Sequence, residues 1–479
     1  MHTCFFVIMF IKFLLNIEIS LDEISKKCGE ALVIYTFQGG SLMNEYANEI
    51  KEKLDSLLVE MDENSYLFTK HPGKDFTRKR KLDFKEMLRI LLSMGGNSLK
   101  LELMKYFSYD VETATSSAFV QQREKILPDA LQFLFHEFMT STVVTTGYNG
   151  YRLLAVDGSD LCIAHNPKDE ESYFPNEKKA KGFNLLHLNA LYDLCNRVYV
   201  DALVQPGRKE DERQALTDMV DRCAITEKTI VIADRGYESY NTFTHIARKG
   251  WNYVMRVKDK NSNGIASGIP LPDAESFDKE YYLLLTRRQT NEIKAHPEQY
   301  KFMYTNQKFD YLPVGEKGTY PIHFRVLRFP ISDNDFEIII TNLSAEEFPV
   351  EKIKEIYHMR WGIETSFREL KYAIGLTNLH SKKAAYVTQE LFARLTMYNF
   401  CELITTHVII EQKDRKHIYQ VNFTIAIAIC LHYFKCRDDT SPPNVEALIQ
   451  KNILPIRPGR KDPRKVKTKS SVSFLYRVA

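Results

Sequence analysis

The stretch from Tyr357 to Lys371 reads YHMRWGIETSFRELK and sets one carboxylate, Glu364, among Arg360, Arg368 and Lys371. At about 100° per residue these side chains and Tyr357 share a stripe roughly 80° wide. The stripe runs along the margin of an apolar face made by Ile356, Met359, Ile363, Phe367, Leu370 and Ile374, while Glu369 points away from it. A solvated face with i,i+4 pairs such as Glu364–Arg368 gives the same pattern, each pair worth a few tenths of a kcal/mol. The sharper reading is a grip for something anionic beside a carboxylate that holds a metal ion. A hard divalent cation takes several oxygen ligands, so one glutamate is insufficient. Two further acids qualify: Asp157 interrupts the apolar run in LLAVDGSD, and Asp234 ends the one in IVIADRGY. Each directly follows a buried-type strand. An aspartate there can simply cap a turn, but an unpaired charge is costly in such surroundings and a bound cation compensates it. Asp160 is a rival in the first motif. It falls on the opposite face of a continuing strand, and Asp157 is preferred because the apolar run ends there.

These residues need elements to hold them. From Tyr151 short runs, RLLAVDGSDLCIA, LHLNALYDL and RVYVDALVQ, read as three strands, with Asn196-Arg197 as the turn between the last two. KEDERQALTDMVDRC is an amphipathic helix, KTIVIADRGY a buried strand, Ser239–Lys249 a helix and NYVMRVKD another strand. That order predicts a mixed α/β sheet with covered faces. Residues 261–342 change to short alternating runs punctuated by Gly, Pro and Asn, a β-rich insertion whose end, HFRVLRFPISDNDFEIIITN, predicts two strands around a turn. A single long helix is expected next, with Pro349 in its first turn, Gly375 at its end, and a length of about 37 Å.

The signature resembles that of the DDE transposases of bacterial insertion sequences, in the group marked by Y-x2-R-x3-E-x6-K. Tyr357, Arg360, Glu364 and Lys371 match its four positions, and Asp157 in AVDGSD and Asp234 in ADRGY match the two upstream acids. The resemblance spans roughly residues 70–479. It implies an α/β RNase H-like catalytic core with a β-rich insertion, plus an N-terminal helical region and a C-terminal helical region with a basic tail. It also implies two Mg²⁺ ions, or Mn²⁺ in their place, held by Asp157, Asp234 and Glu364. One would activate a water or a DNA 3′-OH and the other would stabilise the leaving oxygen. Arg360 and Lys371 would hold phosphates, Tyr357 would hydrogen-bond to the backbone near the cut, and Arg368, Arg235 and Tyr237 are assigned to DNA as well. Some relatives stack a flipped base on an aromatic residue of the insertion. Residues 261–342 contain no Trp, leaving Tyr281, Tyr282, Tyr304, Phe309 and Tyr311 as candidates.

The implied activity is cleavage of insertion-sequence ends and their joining to target DNA by two-metal-ion phosphoryl transfer. The alternatives are a metal-dependent nuclease of the same fold without strand transfer, or a non-catalytic transposase-derived regulator. The implied partners are double-stranded DNA, as inverted-repeat ends and as target, and a second copy of the chain in the DNA complex. The implied location is the bacterial cytoplasm, at the nucleoid. The domain reading is an apolar leader at 1–42, with translation expected to start at Met43, a helical DNA-binding region at 43–145, the catalytic core at 146–260 and 343–384, the insertion at 261–342, and a helical C-terminal region at 385–479.

For DNA contact, residues 70–81 hold six cations against one acid, Asp75, and residues 457–479 hold eight cations against one acid, Asp462. Both suit phosphates. Leu99–Ile126 is read either as a helix-turn-helix with Gln121, Gln122 and Arg123 facing bases or as an ordinary helical bundle. The formal charge of +3 over 479 residues points to no partner by itself. None of the eight cysteines forms a CxxC pair, which predicts reduced thiols in the cytoplasm. The leader is interrupted by Lys12 and too short to span a membrane, and no other segment is a candidate.

Overall fold

The computed structural model describes residues 44–142, 147–175, 181–332, 335–410, 418–436 and 441–456. The apolar leader and the basic tail at 457–479 lie outside the described residues.

Five α-helices open the described residues: α1 (Glu45–Glu63), α2 (Phe84–Ser93), α3 (Leu99–Tyr106), α4 (Ser116–Arg123) and α5 (Ala130–Ser141). Three of them start on side-chain caps. Asp83, Ser98 and Thr115 each accept a hydrogen bond from the backbone N–H three residues on, filling a donor that the first turn leaves free.

The sheet follows. Strands β1 (Arg152–Ile163), β2 (Tyr173–Phe174), β3 (Phe183–Asp193) and β4 (Val198–Pro206) lead to α6 (Glu212–Arg222), β5 (Thr229–Ala233), α7 (Tyr240–Arg248) and β6 (Asn252–Val257). This is the predicted order of three principal strands, helix, strand, helix, strand, and Arg197 makes the β3–β4 turn at φ 59°. β7 (Phe277–Thr286), α8 (Asn291–Ala295), β8 (Tyr300–Phe302), β9 (Thr319–Pro330) and β10 (Phe336–Thr341) come next. They extend the same sheet, because β10 pairs with β6. The ten strands run β2-β3-β1-β5-β6-β10-β9-β7-β8, with β4 also on β3. β1 is antiparallel to β3 and parallel to β5, and β5 is parallel to β6.

Alternation along the strands decides which helix each side chain meets. Leu154, Val156, Val231 and Ala233 pack with Leu216, Met219 and Phe243 of α6 and α7. Leu153, Ile230 and Ile232 pack on the opposite face with Ile353 and Ile356. Those two belong to α9 (Val350–Met359), which is followed by α10 (Trp361–Tyr372). The single long helix expected here is two helices meeting at Arg360, where i→i+3 bonds (Arg360 N to Tyr357 O, 3.1 Å; Ile363 N to Arg360 O, 3.1 Å) replace the regular ladder. Gly375 ends α10 as expected, at φ 90°.

Helix α11 (Ala384–His407) follows, then β11 (Tyr419–Val421), α12 (Phe423–Lys435), α13 (Val445–Lys451) and β12 (Ile453–Pro455). α11 is buried on nearly every side, and one core cluster joins it to α1, α2, α5 and α12.

Candidate active site

β1 and β5 pair only as far as Ala155 and Ile232. β5 ends at Ala233, whereas β1 runs on beside β3 to Ile163. Asp157 is therefore not at the end of its strand, as the apolar run suggested. It lies where β1 parts from β5, still paired with Ala190 of β3. Parity places Asp157 with Leu153 and Ala155, and Asp234 with Ile230 and Ile232, so both aspartates face α9 and α10 at the mouth of the split. Ligand sites of open α/β sheets form in such crevices beyond the carboxyl ends of strands.

Glu364 comes from the first turn of α10, and Arg360, at the helix joint, binds both sides. Its guanidinium lies 3.0 Å from Glu364 Oε1 and 4.0 Å from Asp157 Oδ2. Backbone N–H groups hold the aspartates: Gly158 N donates to Asp157 Oδ1 (2.9 Å) and Gly236 N to Asp234 Oδ1 (2.8 Å). Burial pushes the Asp157 carboxyl up to about 6. The Gly158 bond and Arg360 oppose that rise, and the Asp234 and Glu364 charges add to it. The three acids thus share one electrostatic neighbourhood, with Arg360 as the cation between two of them. An all-oxygen donor set gathering this much negative charge fits hard divalent ions.

Residues 148–400 match the family described as Transposase DDE domain. The chain belongs to that family. A curated relative, the transposase for insertion sequence element IS231F of Bacillus thuringiensis subsp. israelensis, is 19% identical over 285 residues. That alignment spans 54% of this chain and 58% of the relative. The solved piggyBac transposase synaptic complex with hairpin DNA aligns with 89% of this chain and 90% of that one, at a TM-score of 0.43 and 9% identity.

In this DDE-domain chain Lys371 donates to Ser159 Oγ (2.6 Å) and to the Asp160 carbonyl (3.1 Å), which brings it to the Asp157 face of β1. Arg235 and Arg368 are exposed. Two of the assigned residues are buried. Tyr237 is 1% exposed and packs in the core against α6 and α7. Tyr357 is 6% exposed and packs with Ile232, Val254 and Ile339. Both are large apolar rings at positions whose neighbours are core residues, which a motif match does not reveal.

Asp160 turns to the other sheet face, as its spacing predicted, and accepts a hydrogen bond from His187 Nδ1 (2.9 Å). With Glu210 these two form a compact group able to take a cation. Of the five insertion aromatics, Tyr281 and Phe309 are buried, whereas Tyr282 and Tyr304 are more than half exposed. Trp361 is 48% exposed under the Arg360 guanidinium. The base-reading trio also changes: Gln122 and Arg123 are buried, Arg123 against Gln389 and Glu390 of α11, and only Gln121 is exposed.

No helix among the described residues is long and apolar enough to cross a membrane. Cys195, Cys223, Cys401, Cys430 and Cys436 are free thiols.

Proposed function

We propose that this chain is a DNA transposase that cuts the ends of an insertion element and joins them to target DNA by phosphoryl transfer. The observation that supports this is the nearness of Asp157 to both Asp234 and Glu364, with Arg360 between Asp157 and Glu364, inside the segment that matches the transposase DDE domain. Asp157, Asp234 and Glu364 would hold two Mg²⁺ ions, with Mn²⁺ able to replace them. When bound, such ions activate the attacking oxygen and stabilise the leaving one. The chain's own residues supply orientation. Lys371, Arg368 and Arg235 grip phosphates beside the acids, and Arg360 orients Asp157 and Glu364 by charge.

The exposed cations at 70–81 fit a second, sequence-blind contact with the DNA backbone. Two copies would act together on the paired ends, at the nucleoid. The RNase H-like core is proposed as 146–260 with 343–384, the insertion as 261–342, and the flanking helical regions as DNA-binding and structural. The IS231F relative, a transposase of an insertion sequence by its name, supports the substrate class.

The test incubates full-length protein and Mg²⁺ with labelled DNA carrying the sequences that flank the gene. Cleaved and strand-transferred products are expected, and D157N, D234N and E364Q should each lower them about a thousandfold, the worth of several kcal/mol of charge stabilisation. Cleavage without joined products would leave a nuclease. DNA binding with no cleavage in Mg²⁺ or Mn²⁺ would leave a regulator.

A further inference from the structure

We propose that Glu212 is a fourth carboxylate of the cation site formed by Asp157, Asp234 and Glu364, and that His187 holds it there. The inference rests on the cation-dependent reading above and adds a ligand that the DDE signature does not contain.

Glu212 opens α6, and the start of that helix is fixed from three sides. Asp211 caps it by accepting from Gln214 N (3.0 Å), and Gln205 of β4 accepts from Asp211 N (3.0 Å). Arg213 donates to the carbonyl of Gly236 (3.0 Å), tying the helix to the loop that carries Asp234. The two glycines of the acid motifs then locate the Glu212 oxygens. A Cβ on Gly158 would clash with both Glu212 Oε1 and His187 Nε2, so both groups crowd over the bare Cα of Gly158, on the α6 face of the strand residue that follows Asp157. A Cβ on Gly236 would lie 3.2 Å from Glu212 Oε2 and 3.1 Å from Asp234 Oδ1, so these two carboxylates press on one point. Below them the buried Tyr237 hydroxyl is pushed up by burial first, then by the Glu212, Asp157 and Asp234 charges.

His187 gives the arrangement its direction. It is 7% exposed, its Nδ1 is bonded to Asp160, and its Nε2 lies 3.2 Å from Glu212 Oε1. One oxygen of Glu212 is thereby anchored, and the other is left facing Asp234. Two carboxylates turned toward each other repel unless a cation lies between them. Two divalent ions also carry more charge than three carboxylates balance, especially beside Arg360, and a fourth acid reduces the excess. Glu212 approaches from the α6 face, while Glu364 approaches from the α10 face. The cation site is closed from both sides of the split between β1 and β5.

Mn²⁺ binding to the full-length protein, measured by calorimetry without DNA, tests this. D157N and E212Q are each expected to weaken Mn²⁺ on the order of tenfold or more. E212D, which keeps the charge at the helix start, should recover part of that loss. E292Q alters an exposed acid of α8 that belongs to neither carboxylate group, and it should bind Mn²⁺ like the wild type. Wild-type affinity in E212Q with weakened binding in D157N overturns the proposal and leaves the three-acid site standing. Unchanged binding in D157N as well overturns the cation-dependent reading and this proposal with it.

Discussion

Glu390 shows how a single charged residue in this chain is kept ionised out of water. It is 1% exposed on α11, with Arg123 at 2.8 Å on one oxygen and the His380 ring and backbone N–H on the other. Burial by itself would raise its pKa, but His380 and Arg123 outweigh burial and hold the carboxyl down from 4.5 to about 2. A depressed carboxyl adds stability that is fully present above its unfolded value and is lost as pH falls through its folded one. E390Q should therefore cost about 3 kcal/mol at neutral pH, because it leaves Arg123 buried without its counterion. The gap from wild type should close as pH drops from 4.5 toward about 2. Denaturant midpoints across that range check both the size and the direction. A gap that stays constant with pH would mean that the ion pair is not what Glu390 contributes. The same contacts explain why Arg123 is a poor reader of DNA: a cation at helical spacing looks alike in sequence whether it faces solvent or an acid 267 residues away.

At the scale of elements, Gly375 has the clearest consequence. Its φ of 90° lies in the region that a side chain strains, while the nearest atom to an added Cβ is an ordinary 3.6 Å away. G375A should cost about 1 kcal/mol from backbone strain alone, read as a lower midpoint in chemical unfolding. A neutral result would show that α10 can end another way. This stop was legible because glycine after an amphipathic run has one dominant use. The strands were legible for a similar reason: Leu153–Val156 and Ile230–Ala233 are buried on both faces and read as continuous apolar runs. The break at Arg360 is hidden because the apolar period carries through it nearly in phase, and Gly362, two residues on, is tolerated inside a helical pattern. The length of β1 was hidden because its second half is polar. Gly158, Ser159 and Asp160 stay in the strand through pairing with Asn189, Leu188 and His187 of β3, partners that the sequence does not name. Glu212 escaped notice because an acid at a helix start is the commonest of surface features. The three signature acids stand at motif spacing, whereas only the fold brings Glu212 near them.

For the whole molecule, the question is whether the helices at 44–142 are an appendage or part of the foundation. α11 buries 19 of its 24 residues, far more than one amphipathic face allows. Its partners come from both ends of the chain: Leu131, Leu134, Phe135 and Phe138 of α5 belong to the same cluster as Leu391, Phe392 and Leu395, and Phe135 meets Phe392 at 5.8 Å. The sheet is bound in too, since Tyr199 of β4 and Asn399 of α11 exchange hydrogen bonds of 2.8 Å. Those four α5 side chains are fully buried. At about 1.5–3 kcal/mol each they represent roughly 6–12 kcal/mol, comparable with the entire net stability of a domain, about 5–15 kcal/mol. A fragment starting at residue 147 should therefore fail to fold as an independent unit. It is expected to elute as aggregate, to bind a hydrophobic dye and to lose cooperative unfolding, even though every signature acid is present in it. A monomeric fragment that unfolds cooperatively at the full-length midpoint would show that the N-terminal helices are a detachable module. If the shared core holds, α11 is the mechanical link between the basic N-terminal segment at 70–81 and the split in the sheet where Asp157 and Asp234 meet Glu364.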